Sequence, residues 1–153
     1  MASDLWTLQN PVFAFYSFCA SVLLFKTLIM SIYTGRTRHK YKSFSWPEDN
    51  VMHGIKEEVK PPHPAVERIR SCHRNDLENI VPFCIIGLLY TLTNPSLLTA
   101  RLLFGAYTVA RLFHTVVFVK LHLQPYRFFS FLFSYFITFV LLISFFIHVL
   151  SYI

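Results

Sequence analysis

Charge is scarce in this 153-residue sequence: Asp, Glu, Lys and Arg make up 14% of it, against about 25% in soluble globular chains. With 54% apolar residues and a mean hydropathy of +0.47, the shortfall excludes an ordinary water-soluble enzyme. Glycine is rarer still, at 4 residues, and no Gly-rich phosphate loop, H-E-x-x-H or G-x-S-x-G motif occurs. The 3 cysteines, Cys19, Cys72 and Cys84, form no C-x-x-C pair and leave one unmatched. That suggests neither a disulfide framework nor a zinc site, and they read as reduced, mostly buried thiols. No internal repeat is present. Acids are few, 8 against 14 Lys and Arg, for a net charge of +6. The cations are interleaved with acids beside apolar segments, a poor pattern for nucleic acid.

What the sequence does have is long apolar runs. A span needs about 20 such residues to cross about 30 Å of hydrocarbon. Phe128 to Leu150 qualifies without one charge. Val12 to Tyr33 is interrupted only by Lys26, and Leu97 to Val119 carries Arg101, Arg111 and His114. A fourth helix is expected over residues 65–92, its polar first half outside the bilayer and its apolar second half, Ile80 to Leu92, within it. Thr34 to Pro64 reads as an irregular cytoplasmic loop, broken by Gly35, Pro47, Gly54 and Pro61-Pro62-His63-Pro64. A cleaved signal peptide would need positive charge ahead of its apolar core; only Asp4 stands there, so the first segment reads as a membrane anchor.

Cations orient the spans, because cytoplasmic loops collect Lys and Arg. Nine of the 14 fall between Arg36 and Arg74, and Lys120 and Arg127 flank the last loop. Both basic loops therefore belong in the cytoplasm, with the termini on the opposite side.

Wheel positions pick out the polar half of the second helix. At about 100° per residue from Arg70, Arg74 falls at about 40°, Glu67 at about 60° and Glu78 at about 80°. Two cations and two carboxylates thus share a stripe near the membrane boundary, where an unpaired charge is costly. The i, i+4 spacing suits an Arg74–Glu78 ion pair. Pro82 cannot bond the Glu78 carbonyl, which predicts a kink there. In the third helix Arg111, His114, Thr115 and Phe118 share a face that should look into the bundle or a wet cavity. Lys26 and Arg101 read as snorkelling or structurally paired cations. Ser130, Ser134 and Thr138 form a small polar stripe suited to close helix packing, with Arg127 at its open end and a phenylalanine-rich face for lipid.

The run from Val66 to Phe83, VERIRSCHRNDLENIVPF, is highly specific. With Pro47-Glu48-Asp49, Gly87-Leu88-Leu89-Tyr90, Arg111-x-x-His114-Thr115 and Gln124-Pro125-x-Arg127, it resembles the membrane-associated proteins in eicosanoid and glutathione metabolism, the MAPEG family. The resemblance covers nearly the whole chain and is stronger to the family's glutathione transferases than to its prostaglandin synthases.

It implies an all-α, single membrane domain over residues 1–153: a four-helix transmembrane protomer in a homotrimer, with glutathione as co-substrate between neighbouring subunits and no metal. Arg38, Arg70, His73, Arg74, Asn75 and Glu78 match glutathione-binding positions, and His114 a ligand-contacting one. Arg127 matches the arginine that stabilises the glutathione thiolate, and Asp49 a carboxylate with a catalytic part in the synthases. The implied activity is conjugation of glutathione to lipophilic electrophiles, with peroxidase activity on lipid hydroperoxides, at the cytoplasmic face of the endoplasmic reticulum or mitochondrial outer membrane. A glutathione-dependent prostaglandin isomerase and a non-catalytic lipid-binding accessory protein are the alternatives within the fold.

Four departures qualify the match. Ser71 replaces a second consecutive arginine, and Phe118 a glutathione-contacting tyrosine. Phe128 replaces the serine that follows the catalytic arginine in the synthases, which counts against isomerase activity. Asn50 replaces a cysteine whose modification activates vertebrate transferases.

Overall fold

Helix boundaries follow from local chemistry. Asn10 Oδ1 accepts the N–H groups of Val12 and Phe13, with Pro11 in the first turn, and opens α1, Pro11–Tyr41. Lys42, left-handed at φ 46°, closes it. A short α2, Pro47–Met52, follows. His63 caps α3, Pro64–Thr91, and Ser96 caps α4, Leu97–Val116. A π-helical turn, Val117–Leu121, continues α4 and stops at left-handed His122. The last helix is α5, Gln124–Leu150. The computed structural model describes residues 5–56 and 58–153, and among them there is no strand; Asp4 lies outside them.

One boundary departs from the sequence reading. The first helix runs on to Tyr41 rather than stopping at Tyr33, so Arg38 is helical and the loop begins later and contains α2. Gly35 does not break α1, and Thr34 and Thr37 donate their hydroxyls back to the carbonyls of Met30 and Tyr33. Helix α3 runs through Pro82 as one helix, within a residue of the expected 65–92 at each end.

Among the described residues, three helical segments are long and apolar enough to cross a membrane: Pro11–Tyr41, Leu97–Leu121 and Gln124–Leu150. Helix α3 is 28 residues long, but its charged first half keeps it out of that group. Large apolar side chains, among them Phe25, Leu28, Leu102, Val109, Phe129, Phe136 and Ile147, face outward. That is the surface expected toward lipid.

Helices α1 and α5 each pack on both α3 and α4, leaving α3 and α4 as the diagonal pair. Their side chains meet in a continuous antiparallel ladder. Tyr90 meets Phe104 edge to face, Phe83 stacks on Tyr107 with centroids 3.7 Å apart, and Arg68 reaches the Phe118 carbonyl. At the far end Trp6 donates to Thr91. The C-termini of α1 and α4 and the N-termini of α3 and α5 therefore share one end, and the basic residues gather there. In lipid, burial of apolar area drives little, so close packing and polar contacts hold such helices. Gly87 is required for that packing: a Cβ there would lie 2.8 Å from the Tyr16 ring, which is pinned by its hydroxyl on the Cys84 carbonyl.

Candidate functional site

The polar residues of the diagonal pair divide into a buried cluster and a surface mouth. In the cluster, Asp76 is fully buried, and its Oδ1 lies 2.6 Å from both Lys26 Nζ of α1 and Arg111 Nη2 of α4. Arg111 is likewise 0% exposed, and its Nη2 also donates to Asn75 Oδ1 at 2.9 Å and to the Asn75 carbonyl at 3.4 Å. Three helices are thereby tied at one carboxylate. The cluster carries two cations on one anion, and a buried charge so engaged holds only while its partners remain.

Cys72, Asp76 and His114 bring one ligand atom each within 4.8 Å of one another. Lys26 and Arg111 already neutralise Asp76 and leave a net positive neighbourhood, which opposes a metal cation.

The mouth lies where α3, the π turn and α5 meet. The Arg127 guanidinium sits 4.5 Å from the centre of the Phe118 ring, and His114 meets the same ring edge to face at 5.6 Å. A cavity of about 320 Å³ opens beside them, lined by Pro64, Glu67, Arg68, Ser71, Phe118 and Arg127. Arg127 makes no ion pair among the described residues. It occupies the first turn of α5, where the helix dipole adds partial positive charge. A cation paired with none of the described acids, stacked on an aromatic face beside a cavity, can receive an anionic ligand atom.

The remaining expected site residues are distributed more widely. Arg70 pairs with Glu67 at 3.2 Å, and Ser71 bonds the other oxygen of Glu67, so the two sit beside the mouth. Arg74 and Glu78 are exposed on α3 and form no ion pair with each other, contrary to the i, i+4 expectation; Arg70 instead takes the i, i+3 partner. His73 is half-buried. Asn75 turns its amide oxygen inward to Arg111, and His114 is buried, at 1% exposure. Arg38 lies half-buried near the end of α1, its Nε buried without a partner among the described residues. Asp49 sits in the first turn of α2, outside the residues lining the Arg127 cavity.

The sequence reading missed Asp76 and its link to Lys26. It followed the charged stripe, whereas Asp76 falls at about 240° on the same wheel, on the opposite face. A usable signal existed. No Asp or Glu occurs after Glu78, so a buried Arg111 had to find its acid upstream.

Comparison with known proteins identifies the family of the chain. The chain is 40% identical to microsomal glutathione S-transferase 1 of Sus scrofa over 134 residues, covering 86% of each. It is equally close, at 40% over 134 residues, to the Homo sapiens protein of that name. Prostaglandin E synthase of Homo sapiens is 32% identical over 120 residues, 78% of each chain. The model of the MAPEG family matches residues 16–147, a stretch that takes in the Asp76 cluster and the Arg127 mouth alike, and the chain belongs to that family.

Proposed function

We propose that this chain is a membrane-bound glutathione transferase that conjugates glutathione to lipophilic electrophiles and reduces lipid hydroperoxides. The observation that carries the reading is Arg127, a cation that pairs with no carboxylate among the described residues, stacked on Phe118 at the edge of a cavity. A cation beside a thiol lowers its pKa, and the thiolate is the reactive form. With glutathione's sulfur at Arg127, the sulfur lone pair attacks an electrophilic carbon. The carbon–sulfur bond forms as the leaving group departs with its electron pair, and the thiol proton goes to solvent. With a hydroperoxide the sulfur attacks the terminal oxygen and the alcohol leaves. The resulting glutathione sulfenic acid condenses with a second glutathione to disulfide and water. Asp49 is proposed in an accessory catalytic part.

The tripeptide's carboxylates suit the forks of Arg38, Arg70 and Arg74 with His73, Asn75 and His114, and its ammonium suits Glu78. Arg74 and Glu78 share the outward side of α3 with Leu77, Val81 and Ile85, a mixed face unsuited to lipid. A second copy of the chain covers it in this reading, making a homotrimer with α3 as the fourth span of a single membrane domain and glutathione at the subunit junctions. The names of the transferase relatives favour the endoplasmic reticulum membrane; the mitochondrial outer membrane is the second site proposed, with the basic end cytoplasmic. Electrophiles then reach the mouth through the bilayer.

Calorimetric titration of the detergent-solubilised protein with glutathione tests the proposal. Saturable binding, followed by turnover of chlorodinitrobenzene, is the expected result. A folded protein that binds no glutathione is instead a lipid-binding accessory protein. Conversion of a prostaglandin endoperoxide would favour the isomerase reading, against which Phe128 stands.

A further inference from the structure

We infer that Arg111, assisted by Tyr107, is a positioning residue that sets the rotation of α3 and so aims its ligand-binding side chains; the inference rests on the glutathione reading above. Tyr107 and Arg111 stand four residues apart on α4, one above the other on the same face. They donate to two carbonyls four residues apart on α3: the Tyr107 hydroxyl to Asn79 at 2.8 Å, and Arg111 Nη2 to Asn75 at 3.4 Å. Asn79 Nδ2 adds a further bond to the Asn75 carbonyl at 2.7 Å.

These contacts cross the diagonal of the bundle, where α3 and α4 have little backbone proximity and long side chains must bridge. They also bracket the turn at which Pro82 withholds an N–H from the Glu78 carbonyl. Helix α3 has its weakest internal hydrogen bonding there and is gripped from α4 at just those turns. The planar Arg111 guanidinium makes the grip directional by fixing where Nη2 lies. One nitrogen holds both Asp76 Oδ1 and Asn75 Oδ1, fixing neighbouring residues on opposite flanks of the buried face. A rotation of α3 that broke these bonds would swing Arg70, Arg74 and Glu78 together, since all three are on one stripe.

A lysine at position 111 keeps a charge on Asp76, but its shorter stem and freely rotating ammonium do not hold the reach and fixed direction that the planar guanidinium gives Nη2. Arg111→Lys in the full-length protein is therefore expected to fold with a near-normal melting temperature. It should raise the KM for glutathione about tenfold, the worth of one hydrogen bond to a charged donor, while kcat at saturating glutathione stays within about twofold. Tyr107→Phe, which keeps the ring stack on Phe83, should raise KM about two- to threefold.

A structural role alone would lower yield or melting temperature and leave the KM of surviving protein unmoved. Against an Asn75→Ala background, Arg111→Lys should cost less than it does in the wild type, because the bond to Asn75 Oδ1 is already gone while those to the Asn75 carbonyl and Asp76 remain. A wild-type KM in Arg111→Lys, or full additivity with Asn75→Ala, overturns the inference while leaving the transferase reading intact. If Arg111→Lys does not fold, an unmoved KM in Tyr107→Phe overturns it. Failure of the wild-type protein to bind glutathione removes both readings together.

Discussion

The guanidinium of Arg127 lies over the ring of Phe118, 4.5 Å from its centre, so the arginine is held in place by a face that offers it no negative charge to neutralise. In the proposed reaction that leaves its full positive charge for the glutathione sulfur. Arg127→Ala should cut kcat about 10²- to 10³-fold, the usual cost of removing one preorganised stabiliser of developing or resident anionic charge. The glutathione KM should move much less. Arg127→Lys should fall between the two, because the charge remains while the planar stack is lost. Steady-state conjugation of chlorodinitrobenzene measures all three, and undiminished turnover in Arg127→Ala would sink the assigned role.

Phe118 invites the opposite experiment. Its ring serves Arg127 and His114, but it lacks the hydroxyl of the tyrosine implied at this position by resemblance. Phe118→Tyr adds one donor without disturbing the stack. A new hydrogen bond worth about 1 kcal/mol corresponds to a roughly fivefold lower glutathione Kd, which calorimetry resolves easily. An unchanged Kd would mean that the ring edge does not face the tripeptide.

The glycines of α1 and α3 should respond in opposite directions. At Gly35 a Cβ meets nothing within 4 Å, so Gly35→Ala should stabilise by about 0.5–1 kcal/mol through helix propensity alone. At Gly87 the same Cβ lies 2.8 Å from the pinned Tyr16 ring. Overpacking there costs about 1–3 kcal/mol, which outweighs the propensity gain. Thermal unfolding in one detergent should therefore order the proteins Gly35→Ala, wild type, Gly87→Ala, from most to least stable.

How far these features were legible in the sequence differs by element. The three apolar helices announce themselves by run length, and the Ser130, Ser134 and Thr138 stripe of α5 packs inward as its small polar residues suggest: Ser134 is fully buried. The end of α1 was obscured because Gly35 and a basic run look like a loop. The helix instead runs on through Thr34 and Thr37, whose hydroxyls bond back within it, and ends at left-handed Lys42. In α3 the charged stripe was visible, but which charges pair was not, since i, i+3 and i, i+4 partners compete within a fraction of a kcal/mol. The Asp76 cluster depends on the register of three helices, which no single helical wheel contains.

That cluster makes the sharpest stability prediction, because its charges do not balance. Asp76 answers two buried cations, Lys26 and Arg111, each 2.6 Å from the same oxygen. Asp76→Ala removes the anion and leaves both cations inside. Breaking a buried pair from one side costs about 3–5 kcal/mol, and here two charges are orphaned, so the variant should unfold at a much lower temperature or fail to accumulate. Lys26→Met removes the surplus charge instead and leaves the Arg111–Asp76 pair neutral overall, with a thioether of similar reach in place of the ammonium. Replacing a buried charge by a well-packed apolar group is often neutral or stabilising, so Lys26→Met should melt at or above the wild-type temperature. The ratio of the two effects is the test. If Asp76→Ala and Lys26→Met destabilise equally, the cations are solvated rather than buried, and the cluster does not hold the three helices together.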